Sequence, residues 1–121
     1  MGGIVMKATD LMIGDWVSIK PLSAYIYTRR KIKIQDFSNL YKMDFVPIQL
    51  TREILEKNGW KEAQYWHEYQ DDKNTIQCCL PDMRGIINGI EIEHFKCEYV
   101  HQYQHLLRLC GLDELADNFK I

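Results

Sequence analysis

Apolar positions recur at helical spacing in two stretches of the chain and alternate with polar ones through much of the rest. The longer helical stretch runs from Tyr99 to Leu112. At about 100° per residue, Val100, Tyr103, Leu106, Leu107, Leu109 and Cys110 fill one half of the circumference and His101, Gln104, His105 and Arg108 the other. Gly111 suits the left-handed position after the last turn, with Leu112 folding back on Leu107. No Ser, Thr, Asp or Asn precedes Tyr99 closely, so the start is placed between Cys97 and Val100. Gln102 falls on the edge of the apolar half and is expected to turn inward and bond a neighbouring backbone. The shorter helix spans Arg52 to Asn58. Thr51 is its N-cap, Glu53 sits in its first turn, Leu50 staples to Leu55, and Gly59 with Trp60 forms the stop.

Strand patterns fill the remainder. Gly14-Asp15 reads as a turn into a strand that carries Val17 and Ile19 on one face and Trp16 and Ser18 on the other, ending at Pro21. Alternation continues from Ala24 to Phe37, with Arg29-Arg30 in a turn or on an exposed edge, and Ile32 and Ile34 in register. Asp36 to Asn39 is a turn, and Leu40 to Val46 a further strand. Short strands so closely spaced predict a bent antiparallel sheet or a small, partly closed barrel. Beyond the short helix an antiparallel meander is expected: Tyr65–Gln70, a turn at Asp71–Asn74, Thr75–Leu80, a turn at Pro81-Asp82, and a hairpin around Asn88-Gly89 running on to Phe95. Asn-Gly supplies the two positive-φ residues of a type I′ turn. Ile90, Ile92 and His94 are expected on one face. Phe119 and Ile121 provide a final edge strand or anchor. The fold class is α+β: an N-terminal bent antiparallel sheet or partly closed barrel, a short capped helix, a meander, and a C-terminal helix packed on the sheet.

Composition changes this picture little. The 121 residues suit a single domain, divided as a β-rich unit over 1–46 and a helix–meander–helix unit over 47–121. No apolar run reaches the roughly 18 residues of a membrane span, and no secretory leader is visible, so a cytoplasmic setting is expected. Met6 is an alternative start. Cys78, Cys79, Cys97 and Cys110 contain no C-x-x-C pair and read as reduced thiols. Charge is uneven: residues 1–50 hold seven Lys/Arg and four Asp/Glu, whereas residues 51–121 hold eight and thirteen. The asymmetry points to two surfaces with different partners.

Three segments, Lys7 to Val17, Pro47 to Trp60 and Tyr99 to Leu106, carry the patterns L-x-I-G-[ND]-[YW]-V, P-I-x-L-T-x-E-x-L-x-K-x-G-[FW] and Y-V-H-x-L-Q-x-L in that order, with Tyr103 replacing the usual Leu. In these the chain resembles a family of small proteins encoded by gut Bacteroidetes and their phages and mobile elements. The resemblance spans nearly the whole chain except 20–45. It implies a cytoplasmic bacterial or bacteriophage setting and no chemistry.

Several clusters invite a functional reading. Tyr25, Tyr27, Arg29, Arg30, Lys31 and Lys33 interleave aromatics with cations, as single-strand nucleic-acid surfaces do. Edge strands also carry such charges merely to discourage aggregation. His94, Cys97, His101 and His105 have types and spacing suited to zinc, but both Gln102 and Gln104 stand where a metalloprotease helix would need Glu. The plainer reading is a solvated polar face. Cys97 or Cys110 paired with His101 or His105 lacks any nucleophile motif. No phosphate loop, dinucleotide fingerprint or serine elbow is present, and no catalytic residue or cofactor is implied. Seven Tyr and three Trp in a small domain favour docking. The expected role is a non-enzymatic accessory or interaction protein, with an unknown protein partner or a homo-oligomer and no membrane. A weak single-strand nucleic-acid-binding module is the alternative, and a metal- or Cys/His-dependent enzyme the third reading.

Overall fold

The structure is a computed structural model, and it describes residues 10–64, 66–79, 84–92 and 98–121. Two antiparallel sheets are held together by one central helix. Strands β1 (Trp16–Pro21), β2 (Thr28–Lys31) and β3 (Met43–Pro47) form the first sheet in the order β2-β1-β3. Strands β4 (Lys61–Glu62), β5 (His67–Gln70), β6 (Thr75–Cys79), β7 (Arg84–Ile87) and β8 (Ile90–Ile92) form the second as an unbroken meander. Helix α1 (Arg52–Lys57) joins the sheets, α2 (Val100–Leu109) packs against both, and α3 (Asp113–Asp117) closes the described chain.

The α+β class stands, but no closed barrel forms. A barrel needs more strand than residues 24–42 supply. Arg29 and Arg30 lie inside β2 and not in a turn, while Ile34–Ser38 and Leu40–Lys42 wind into 3-10 turns. The alternation expected through Ile34 therefore fails: Ile32 is buried, and Ile34 points to solvent. Asp36 drives the break. Its carboxylate accepts from the Lys33 backbone N–H at 2.7 Å and from both terminal nitrogens of Arg30 at 2.7 and 2.8 Å. This local competition with strand geometry is characteristic of Asp.

Two hydrophobic clusters follow from this topology. The smaller lies under the first sheet and joins Leu11, Val17, Ile19, Ile32 and Phe45. The larger is centred on Trp60, which meets Tyr69, Tyr103 and Phe119 with ring centroids 4.8, 5.7 and 5.9 Å away. Trp60 is there because α1 stops as its sequence dictates. The Thr51 hydroxyl accepts from Ile54 N–H, Gly59 takes φ +95°, and Trp60 N–H donates to the Leu55 carbonyl at 3.0 Å. The hairpin turn also forms as expected, with Asn88 at φ 52° and Gly89 at φ 82°. Ile90 on the edge strand is exposed. The neighbouring expectations for Leu80, Pro81-Asp82, His94 and Phe95 lie outside the described residues.

Helix α2 departs most from its wheel. Gly111 (φ +79°) and the Leu112 N–H to Leu107 carbonyl bond at 2.8 Å make the expected stop. Leu109 and Cys110, however, are exposed, and His101 and Gln104 are buried. Gln102 does not turn inward; its side-chain oxygen accepts from Glu98 and Tyr99 N–H and caps its own helix. The reason is a second packing partner. One side of α2 covers Ile76, Cys78 and Ile87 of the meander, while the adjacent side faces the turn that leads into β1. Asp113–Asp117 form a helix, residues 118–121 follow it without strand pairing, and Phe119 is the expected anchor.

Candidate docking surface and the polar cluster behind it

The two ends of the first sheet differ in how they are held. At the buried end, Gly14 adopts φ +90° in a turn closed by Asp15 N–H to the Met12 carbonyl. A Cβ at Gly14 would crowd Arg108 Nη2 at 3.0 Å, and the positive φ itself favours glycine. The turn aims Asp15 into the protein, where it is 0% exposed. Its carboxylate accepts from Met12 N–H at 2.8 Å and from Arg108 Nη1 at 2.7 Å, and pairs with His105 Nε2 at 2.6 Å. Gln104 completes the join. It accepts from Trp16 N–H and donates to the carbonyls of Gly14 and Ala116, linking β1, α2 and α3.

His101 lies one turn before His105 with the ring centroids 5.6 Å apart, edge to face, and Tyr99 stacks on it. Among the described residues its Nδ1 has no partner. Burial holds its imidazole below the usual range; Asp15 and Asp10 pull upward and His105 pushes down. The structure thus brings His101 and His105 together, but around a structural carboxylate and not on a solvated face. His94 and Cys97 lie outside the described residues. No group of three or more His, Cys, Asp or Glu among the described residues is arranged to hold a metal. Cys110 is exposed past the end of α2, and Cys78 is buried among apolar side chains.

At the other end of the sheet, the loop joining β1 to β2 stands away from both cores. Tyr25 is 97% exposed and Ile26 79%, with Leu22 at 57% beside them and Tyr41 at 74% on the adjoining turn. Leu22 N–H bonds the Lys42 carbonyl and Ala24 N–H the Pro21 carbonyl, so the loop is held at its base. Lys20 lies 5.5 Å over the Tyr27 ring and Lys42 5.3 Å over Tyr41. The six residues singled out from the sequence divide here. Tyr25, Tyr27, Arg29 and Lys33 are exposed. Arg30 is tied to Asp36, whose carboxyl it holds below the usual range, and Lys31 donates to the Asp117 carbonyl and covers Trp16.

Leu22, Ile26 and Tyr41 were not anticipated. The consecutive apolar residues Tyr25-Ile26-Tyr27 after Pro21 carried the signal, because three in a row cannot all face one side of a strand. The polar cluster had a signal too: His101, Gln104, His105 and Arg108 recur at i, i+3, i+4 and i+7, as periodic as an apolar stripe. Compared with known proteins, the chain matches no family model, no curated protein and no solved structure.

Proposed function

We propose that this protein is a non-enzymatic interaction module that docks a protein partner through the β1–β2 loop, in the bacterial or phage setting its resemblance implies. The observation that carries this reading is the exposure of Leu22, Tyr25 and Ile26 on a loop pinned at its base, with Tyr41 exposed on the adjoining turn. Contiguous large apolar side chains on a monomer surface mark interaction sites, and aromatic anchors supply much of the energy at such interfaces. The buried polar cluster gives the loop a rigid mount by fixing the first sheet to α2. Among the described residues no helix is long and apolar enough to cross a membrane.

The experiment is co-purification from native cells with the wild-type chain and a Tyr25→Ser/Ile26→Ser variant, whose altered residues contact neither core. The expected result is a discrete partner retained by the wild type and lost by the variant. Equal recovery with both chains overturns the proposal.

A second reading, single-strand nucleic-acid binding, is supported by the exposed Tyr25, Tyr27, Arg29 and Lys33. It predicts gel shifts that weaken as salt rises. It ranks below protein docking because Leu22 and Ile26 offer no π-face for a base to stack on.

A further inference from the structure

A surface whose chemistry complements the loop is also present in this chain. A depression beside α3, about 560 Å³, is walled by Tyr69, Leu112 and Leu115, which are only partly buried against the main core, and is rimmed by Asp71, Glu114 and Lys73. That volume falls within the roughly 300–1,000 Å³ of cavities that enclose a small ligand, ample for one tyrosine ring. Its chemistry complements the loop. The loop presents an aromatic and an aliphatic tip with Arg29 and Lys42 exposed nearby, while the depression presents apolar walls under carboxylates. Asp71 is a dependable anion there. Backbone N–H groups of Lys73 and Asn74 donate to it and hold its carboxyl below the usual range.

We infer that a partner of the β1–β2 loop is a second copy of this chain, with Tyr25 and Ile26 of one copy seated in the Tyr69–Leu112–Leu115 depression of the next. The inference rests on the docking reading above and names its occupant. Charge selects this arrangement over a symmetric one. Arg29 and Lys42 are exposed beside the loop, and Asp71 and Glu114 outnumber Lys73 on the rim of the depression, so apposed loops repel while loop against depression attracts. A projecting apolar tip and a receiving hollow at different places on one surface make a heterologous contact. Such contacts propagate into open chains or close into rings.

Sedimentation velocity of the nuclease-treated full-length chain over a wide concentration range tests this. The expected result is a sedimentation coefficient that rises with concentration and falls at high salt. Two variants report on the two halves: Tyr25→Ser/Ile26→Ser on the loop, and Glu114→Lys/Asn118→Lys on the rim, both at exposed positions. Each alone is expected to weaken association roughly tenfold or more, the effect of losing an interface anchor. An equimolar mixture of the two is expected to stop at dimers, because one intact loop meets one intact depression. Melting curves matching the wild type confirm that each variant is folded.

A wild-type chain that stays monomeric overturns the inference. So does a rim variant that assembles like the wild type, which assigns loop-to-loop pairing, or assembly that vanishes on nuclease treatment, which assigns nucleic acid. A monomeric wild type whose co-purifying partner still depends on Tyr25 and Ile26 leaves the docking function standing and removes only self-recognition.

Discussion

Asp15 is the residue on which the join between the two sheets depends. Its carboxylate is fully buried and meets Arg108, His105 and the Met12 amide. Removing one member of a buried pair leaves its partner charge uncompensated, which costs about 3–5 kcal/mol. Asp15→Asn is therefore expected to lower Tm by roughly 10–20 °C, with unfolding by urea as the check; a loss under about 1 kcal/mol contradicts the role. His101 sets the pH dependence. Burial keeps its imidazole neutral in the fold, so the unfolded chain takes up the proton first as acidity increases. Its contribution is intact above about pH 6.5 and is lost as pH falls below that value. Asp15, Asp10 and His105 are the charged and titratable groups whose fields act on the same ring. His101→Phe is expected to flatten the decline of Tm between about pH 7 and 5; an unchanged slope refutes the assignment. Sequence spacing placed His101 and His105 on one face, but whether that face meets water or Asp15 depends on a turn some ninety residues away in the chain.

Helix α2 shows how far an isolated element can be understood from its own residues. Its length, its stop at Gly111–Leu112 and its packing on the meander follow from periodicity and local turn chemistry. Its second buried side does not, because that side is polar and its partners are backbone groups of Gly14, Trp16 and Ala116. Two glutamines two positions apart make the distinction measurable. Gln102→Ala removes a cap and is expected to cost about 1 kcal/mol. Gln104→Ala removes three hydrogen bonds of a fully buried side chain, leaving the Trp16 N–H and the Gly14 carbonyl without that partner, and is expected to cost several-fold more, about 3 kcal/mol or above. Hydrogen exchange at the Trp16 amide is expected to accelerate in the second variant alone. Equal costs for the two contradict the account of α2 as a polar bridge. The short helix α1 and the Asn88-Gly89 hairpin were legible because their caps and turns are local. Strand β2 was not, because Asp36 and Arg30 break the alternation through a side-chain interaction that periodicity does not register.

At the scale of the molecule, one end is fixed and the other is displayed. The Asp15–Gln104–Arg108 cluster fixes the first sheet to α2, and the loop at the sheet's far end carries Leu22, Tyr25 and Ile26, which neither core absorbs. The sequence marked residues 25–33 as a surface to watch, though for its cations; the structure ties Arg30 and Lys31 inward and leaves the tip apolar. Position 26 is the most direct place to probe the docking function. A photo-crosslinking aromatic residue placed there in native cells, with the same residue at exposed Arg52 on α1 as a control, reads out whatever covers the loop. Docking through the loop gives a discrete protein adduct at position 26 and none at position 52. Adducts that are absent, that are the same at both positions, or that consist of nucleic acid contradict it.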